Sequence, residues 1–176
     1  MSPLWRSGGE WLGVLLHTAF TALGCAVSLG VVGLIYGLLA LPHPDPYGSA
    51  AIFNPLFWLP SFFLGLLINR FVHHSWAWLA PATIGTSIMV GVILWDVSLF
   101  RHSAYEIGLA HGHLWRHEFE RLFWPVSSFS PEKEDRILAQ LFLTFPFLSS
   151  LAYSGGAWLS IKFGQGGPLH AANTAK

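Results

Sequence analysis

One stretch of this chain runs from Trp11 to Leu41 without a charged residue. A helix needs about 20 apolar residues to cross a bilayer core of roughly 30 Å, and this stretch is longer than that. Only 10% of the 176 residues are charged, well below the share that is typical of soluble domains. The stretch therefore predicts a membrane-spanning helix that tilts or protrudes from the bilayer.

Charged residues are divided unevenly along the chain. Five occur in the first 100 positions, and eleven lie between Arg101 and Arg136. The formal net charge is zero, so no overall field attracts nucleic acid. The single cysteine, Cys25, excludes an intrachain disulfide and a Cys-x-x-Cys motif. The sequence thus predicts one integral membrane domain with a charged, water-facing insert, and we expect it in a bacterial cytoplasmic membrane.

The predicted fold is all-α, a polytopic helical bundle with four transmembrane helices and one amphipathic interfacial helix between spans three and four. Asn54 and Pro55 form a typical helix start for span two, and Pro60 and Pro146 are expected to kink spans two and four. A re-entrant second segment would reduce the count to three. The predicted spans cover residues 11–41, 52–71, 76–100 and 137–163, with an interfacial insert at 101–130 and a disordered tail at 164–176.

Tryptophans support these boundaries because their rings settle at the depth of the lipid headgroups. Five of them fall near predicted span ends: Trp11, Trp76, Trp78, Trp95 and Trp158.

The insert has the periodicity of an amphipathic helix over residues 103–124. Its apolar and polar residues gather on opposite sides, with aromatic rings expected towards lipid and polar groups towards water. The apolar side holds Ile107, Leu114, Trp115, Phe119 and Leu122, and the polar side holds Glu106, His113, His117 and Glu120.

A metal site is one interpretation of that polar side. His113 and His117 are four residues apart and Glu120 follows three residues later, so all three project from one helical face and could bind one zinc ion. The other interpretation is a solvated face that happens to contain His and Glu. The second is preferred, because the pair lacks the Glu of a His-Glu-x-x-His motif.

Three further histidines and one aspartate are candidates within or beside the spans. His17 in span one and His73 and His74 after span two could ligate a haem between helices. Packed or interfacial imidazoles are the preferred interpretation, because the sequence has no Cys-x-x-Cys-His attachment motif. Asp96 is the one acidic residue inside a predicted span. Such residues often mark ion or proton paths, but an interfacial, hydrogen-bonded carboxylate is preferred at this position close to the span end.

Small residues recur every four positions in two spans, which favours close helix packing. Contacts inside the bundle are the preferred interpretation, and homodimerisation is the alternative. The Gly155-Gly156 pair is expected to bend or closely pack span four. The stripes are Ala22, Ala26 and Gly30, continued by Gly33 and Gly37, in span one, and Thr83, Ser87 and Gly91 in span three.

These features predict a non-catalytic structural or accessory component of a membrane. Its expected partners are the bilayer and either a second copy or another membrane subunit, with no nucleic acid. The first alternative is a metal- or haem-binding protein that transfers electrons, protons or ions. The second is a small-solute permease with Asp96, Asn69 and His17 as polar anchors; its proline-interrupted helices are compatible with that class.

Overall fold

The computed structural model of the protein describes residues 3–38, 53, 55–71, 76–106, 111–124 and 133–165. All regular structure in these ranges is helical, and they contain no β-strand. Short 3-10 turns at Pro55–Trp58 and Ala77–Leu79 lead into α2 and α3, and a π-helical turn at Gln140–Thr144 joins α5 to α6. The helices are α1 (Pro3–Leu38), α2 (Leu59–Phe71), α3 (Ala80–Glu106), α4 (His111–Phe123), α5 (Lys133–Ala139) and α6 (Phe145–Gln165).

Three helical segments are long and apolar enough to cross a membrane, namely Gly9–Val31, Ala77–Leu99 and Asp135–Phe163. They coincide with predicted spans one, three and four. The all-helical fold class is therefore confirmed for the described residues, and the three segments are compatible with an integral membrane protein. Helix α2 is also apolar, but its 13 residues are fewer than in the other three.

Contacts along α6 define the directions of the other long helices. His17 and Cys25 of α1 meet Tyr153 and Ser149, so α1 runs antiparallel to α6. Trp78 and Gly85, at the start of α3, meet Ser154 and Ser150, so α3 is antiparallel to it as well. We call the end of the bundle that carries α4 the insert side and the other end the opposite side.

Helix α2 runs parallel to α6. Gly65 lies against Tyr153, and Asn69, one turn later, donates a hydrogen bond of 3.0 Å to the carbonyl of Ala157. Helices α2 and α6 therefore run in one direction, and α1 and α3 run in the other.

The interior of the bundle is more polar than its surface, the reverse of a water-soluble domain. Among the described residues, twelve polar or charged side chains and eight hydrophobic ones are buried, whereas 27 large hydrophobic side chains are exposed. Several buried hydroxyls donate to backbone carbonyls, as when Thr21 donates to the carbonyl of His17 at 2.7 Å and Ser154 donates to that of Trp78 at 2.9 Å. An apolar exterior around a hydrogen-bonded interior suits a lipid solvent.

Two glycines allow the backbones of α2 and α6 to touch. A Cβ at Gly65 would lie 2.0 Å from the carbonyl oxygen of Tyr153, and one at Gly156 would lie 2.0 Å from that of Phe62. No side chain larger than hydrogen fits at either position without a shift of the helices. The prediction that the Gly155-Gly156 pair packs closely is correct for Gly156.

The small-residue stripes do not make the internal contacts that were preferred for them. Ala22, Ala26 and Gly30 of α1 are exposed, and so are Thr83, Ser87 and Gly91 of α3. A Cβ added at Gly30, Gly33 or Gly91 would meet no atom of the described residues within 4 Å. The interpretation as intramolecular packing is therefore wrong for these residues, because both stripes lie on the outer surface.

Several predicted boundaries also change. Pro60 is the second residue of α2 and lies in its first turn, where proline is tolerated, so it does not kink the middle of a helix. Helix α3 continues to Glu106, which takes the first residues of the predicted insert into the bundle. Asn54 and residues 166–176, including most of the predicted disordered tail, lie outside the described residues.

Candidate functional site

Helix α4 has three faces rather than two. Its bundle-facing side carries Leu114, Glu118 and Leu122, all buried. Trp115 and Phe119, predicted to lie with them, are exposed on an adjacent aromatic face. The third face is polar and holds Arg116 and His117, both exposed, and the part-exposed Glu120. At 100° per residue these three groups occupy successive sectors of the helix.

A shared ion cluster joins α4 to α3. The Arg121 guanidinium of α4 pairs through Nη2 with Asp96 of α3, and it pairs with Glu118 one turn earlier on its own helix at 3.0 Å. The side chains of Asp96 and Arg121 are about one-fifth exposed, and that of Glu118 is 3% exposed. The Arg121 guanidinium thus pairs with two carboxylates. Because these groups are largely buried, the dielectric constant around them is lower than in water and the ionic attraction is stronger.

The C-terminal end of α4 is capped by side chains from the helix that follows. The last carbonyls of any α-helix lack partners within the helix. Gln140 Nε2 donates to the carbonyls of Arg121 and Trp124 at 3.0 and 2.7 Å, and Thr144 Oγ1 donates to that of Leu122 at 2.8 Å.

Arg136 of α5 completes this cap. Its Nη2 donates to the carbonyl of Glu120 at 2.7 Å and to that of Trp124 at 3.3 Å. The positive charge is also favourable at a helix C-terminus, because the helix dipole is negative there.

The π-helical turn carries two of these donors. The amide of Phe145 donates to the carbonyl of Gln140, five residues back, which defines the wider turn. Pro146 follows directly and has no amide hydrogen, so a regular α-helical bond is missing at this point. The irregularity predicted from Pro146 is thus a widened turn that presents Gln140 and Thr144 to α4.

A second candidate site is the buried His17–Tyr153 pair between α1 and α6. His17 Nδ1 and Tyr153 Oη share a hydrogen bond of 3.0 Å, and the rings meet edge to face with centroids 5.8 Å apart. Both side chains are fully buried. His73 and His74, the other predicted haem ligands, lie outside the described residues, so haem ligation stays a prediction.

The predicted zinc ligands are only partly described. Glu120 accepts a 2.8 Å hydrogen bond from Arg116, and this bond lowers the pKa of Glu120. His117 is exposed on the same face, and the side chain of His113 is outside the described part. Among the described residues, no three His, Cys, Asp or Glu side chains are grouped closely enough to hold a metal ion. The zinc site stays a prediction.

An apolar groove separates α1 from α3 on the outer surface, with a volume of about 420 Å³. Ala22, Cys25 and Ala26 line one wall, and Ile84 and Ile88 line the other. Its hydroxyl groups are satisfied by their own helices; Thr21, for example, bonds to the carbonyl four residues earlier. The groove consequently offers shape and apolar contact rather than hydrogen bonds.

The ion cluster was not predicted as a unit, although the sequence contained a signal for it. Glu118 lies between Leu114 and Leu122 on a helical wheel, so a charged residue was placed on a side that should be apolar. A buried charge in that position requires a partner of opposite charge. Asp96, the one acidic residue inside a predicted span, requires one as well.

No known protein family, curated protein or solved structure matches this chain.

Proposed function

We propose that this chain is a four-span integral membrane protein with one interfacial helix, and that it serves as a non-catalytic structural or accessory component of a bacterial cytoplasmic membrane. In this role it associates with another transmembrane helix through the outer faces of α1 and α3. The observation that carries the proposal is the outward orientation of both small-residue stripes.

Four crossings are supported by length and direction. The 3-10 turn before α2 adds four residues to its 13. At about 2.0 Å and 1.5 Å per residue the two together extend about 28 Å, close to the hydrocarbon thickness. Because α2 runs opposite to α1 and α3 and parallel to α6, the chain alternates direction at every long segment, as four consecutive crossings require.

The interfacial position of α4 is supported by exposed tryptophans. On the insert side, Trp115 and Trp124 are exposed beside Trp95 at the end of the third span. Trp11 and Trp158 are exposed on the opposite side, where Lys162 lies 4.2 Å from the ring centre of Trp158. Two such belts correspond to the two headgroup regions of a bilayer.

The accessory role is supported by the small residues on the outer faces of α1 and α3. Close helix approach in lipid depends on small residues, because apolar side chains gain nothing by leaving an apolar solvent. Ala22 and Ala26 are exposed on the outer surface of α1 and also line the apolar groove. Ser87 and Gly91 form a second exposed surface of small residues on α3. These surfaces support association with a helix of a second copy or of another membrane subunit.

Site-specific photo-crosslinking in native membranes tests this role. A benzophenone amino acid placed at Ala26 or Ser87 should crosslink to a protein chain, whereas the same group at Leu67, an exposed residue of α2, should react only with lipid. The mass of the product distinguishes a second copy from another subunit. Uncrosslinked monomer at both stripe positions would refute the accessory role.

Cysteine labelling tests the number of crossings independently. Cysteines introduced at Ser49 and Ser128 should react with a membrane-impermeant reagent from the same side of the membrane. Labelling from opposite sides would refute four crossings.

Transfer of electrons, protons or ions is the second candidate, and the fully buried His17–Tyr153 pair favours it. Intramembrane histidines often belong to proton relays or cofactor sites. Metal content and the visible spectrum of the purified protein test this candidate: a Soret band lost on His17→Phe would establish haem, and zinc lost on changing both His113 and His117 to Ala would establish the insert site. Colourless, metal-free protein would leave haem and metal chemistry without support.

A further inference from the structure

Helix α4 is held to the bundle by a small apolar contact and by several polar ones. Leu114 and Leu122 are buried, and Phe123 meets Phe147 of α6 edge to face with ring centroids 6.2 Å apart, while Trp115 and Phe119 are exposed. The remaining attachment comes from the ion cluster and from the side chains that cap its C-terminus. Polar contacts at a membrane surface can be exchanged for water at modest net cost, whereas buried apolar packing cannot.

If α4 separates from the bundle, no unpaired charge from the ion cluster remains on α4. Arg121 contacts Asp96 across the helix boundary and Glu118 within α4. When α4 moves away, the pair of Arg121 and Glu118 travels with it and stays neutral. Among the ion pairs only that between Arg121 and Asp96 is broken, and the bonds from Gln140, Thr144 and Arg136 to the end of α4 are lost with it. Asp96 lies near the end of the apolar segment Ala77–Leu99, where water is accessible to a released carboxylate.

Removal of α4 would uncover the end of a polar ridge on the long helix of residues 133–165. Gln140 and Thr144 lie directly beneath α4 and are fully buried. Further along the same helix, Ser149 and Tyr153 are also fully buried, and Tyr153 reaches His17. Ser160 is buried nearer the opposite side, and the fully buried Phe145 stands between Thr144 and Ser149 in the chain, so α4 covers the insert-side pair of an interrupted row of polar groups.

We propose that α4 is a releasable lid over the insert-side end of this polar ridge, with the Asp96–Arg121 pair as its latch. In the closed state Arg121 bridges two carboxylates and the cap residues hold the C-terminus of α4. In the open state Arg121 keeps Glu118, and Gln140 and Thr144 face water. The lid does not depend on the accessory role, because it concerns the insert side rather than the outer faces of α1 and α3.

Amide hydrogen exchange of the full-length protein in lipid nanodiscs tests the lid. Amides of residues 111–123 should exchange faster than those of the α6 interior, because a 13-residue helix frays once it is released from the bundle, while the spans stay folded. Asp96→Asn removes the charge of the latch, and it should speed exchange in α4 by about tenfold while leaving α6 unchanged.

Arg116→Gln is the matched control on the same helix. It also converts one member of an ion pair to an amide, but Arg116 pairs with Glu120 on the polar face and its side chain makes no described contact with α3 or α5. Exchange in α4 should therefore stay at the wild-type rate. The lid is excluded if wild-type α4 exchanges no faster than α6, or if Asp96→Asn accelerates α4 and α6 together or neither of them.

Discussion

The contact between the backbones of α2 and α6 makes a quantitative prediction for Gly156→Ala. The new Cβ would lie 2.0 Å from the carbonyl oxygen of Phe62, where an ordinary contact begins at 3.4 Å. The helices must therefore separate locally by the difference, about 1.4 Å, because the obstructing atom belongs to the backbone of a packed helix. Overpacking of this kind costs about 1–3 kcal/mol.

The neighbouring residue provides an unusually close control. A Cβ at Gly155 meets no atom of the described residues within 4 Å. Both substitutions gain the same helix propensity, about 1 kcal/mol, so their difference isolates the clash. The strained interface also includes the bond from Asn69 to Ala157, and a hydrogen bond between membrane helices averages about 0.6 kcal/mol. We expect Gly156→Ala to be less stable than Gly155→Ala by about 2–3 kcal/mol.

Reversible unfolding in mixed detergent micelles, followed by far-ultraviolet circular dichroism, measures this difference. Gly65→Ala should behave like Gly156→Ala, since its Cβ would also lie 2.0 Å from a backbone oxygen. The double variant should cost less than the two single costs added, because one separation of the helices accommodates both methyl groups. Equal stability of the Gly155→Ala and Gly156→Ala variants would show that α2 and α6 are not in backbone contact.

Three further outcomes are expected from single substitutions. Tyr153→Phe should lower the free energy of unfolding by about 0.6 kcal/mol, because it removes the bond to His17 and keeps the ring packing; a loss as large as the 3–5 kcal/mol typical of aromatic truncation to Ala would contradict this. Thr144→Val should cost about 1 kcal/mol in the same assay, since a buried carbonyl of α4 loses its donor, and an unchanged midpoint would argue against the cap. Arg116→Met should raise the pKa of Glu120, measured by NMR titration, because it removes the bond that lowers this pKa; the small contribution of the pair to stability is present above the ordinary glutamate pKa and is lost as pH falls through the lowered value.

The three long apolar helices could be predicted because length and the absence of charge mark such segments in a sequence. The uncharged run from Trp11 to Leu41 produced α1, and the clustering of charge after Arg101 separated the insert from the spans. The predicted second span is the least certain from its sequence, because α2 has 13 residues and is lengthened only by the 3-10 turn that precedes it.

The small-residue stripes show where a periodic pattern stops being informative. A spacing of four identifies a face that can approach another helix, but it does not say whether that helix belongs to the same chain. Ala26 and Ser87 face outwards, whereas the closest internal contact uses Gly65 and Gly156. Gly65 also lies four residues after Ser61, so the spacing alone did not separate this buried pair from the exposed stripes.

The ion cluster depends on tertiary placement that periodicity gives only in part. The helical wheel places Glu118 and Arg121 near Leu114, but the partner Asp96 is 25 residues before Arg121 in the chain. The cap depends on the π-turn, which the sequence indicates only through Pro146. Pairing across such distances becomes visible only when α3, α4 and α6 are seen together.

Because of the π-turn, the number of residues between Arg136 and Tyr153 determines how the two halves of this helix are rotated relative to each other. Relative to an uninterrupted α-helix, the wider turn accommodates one additional residue and rotates the preceding segment by about 100°. Deleting a single residue within Gln140–Thr144 would restore regular helix and turn Arg136 away from the end of α4. Such a deletion would remove no charge, yet it would rotate the two halves of the helix relative to each other and away from their present contacts.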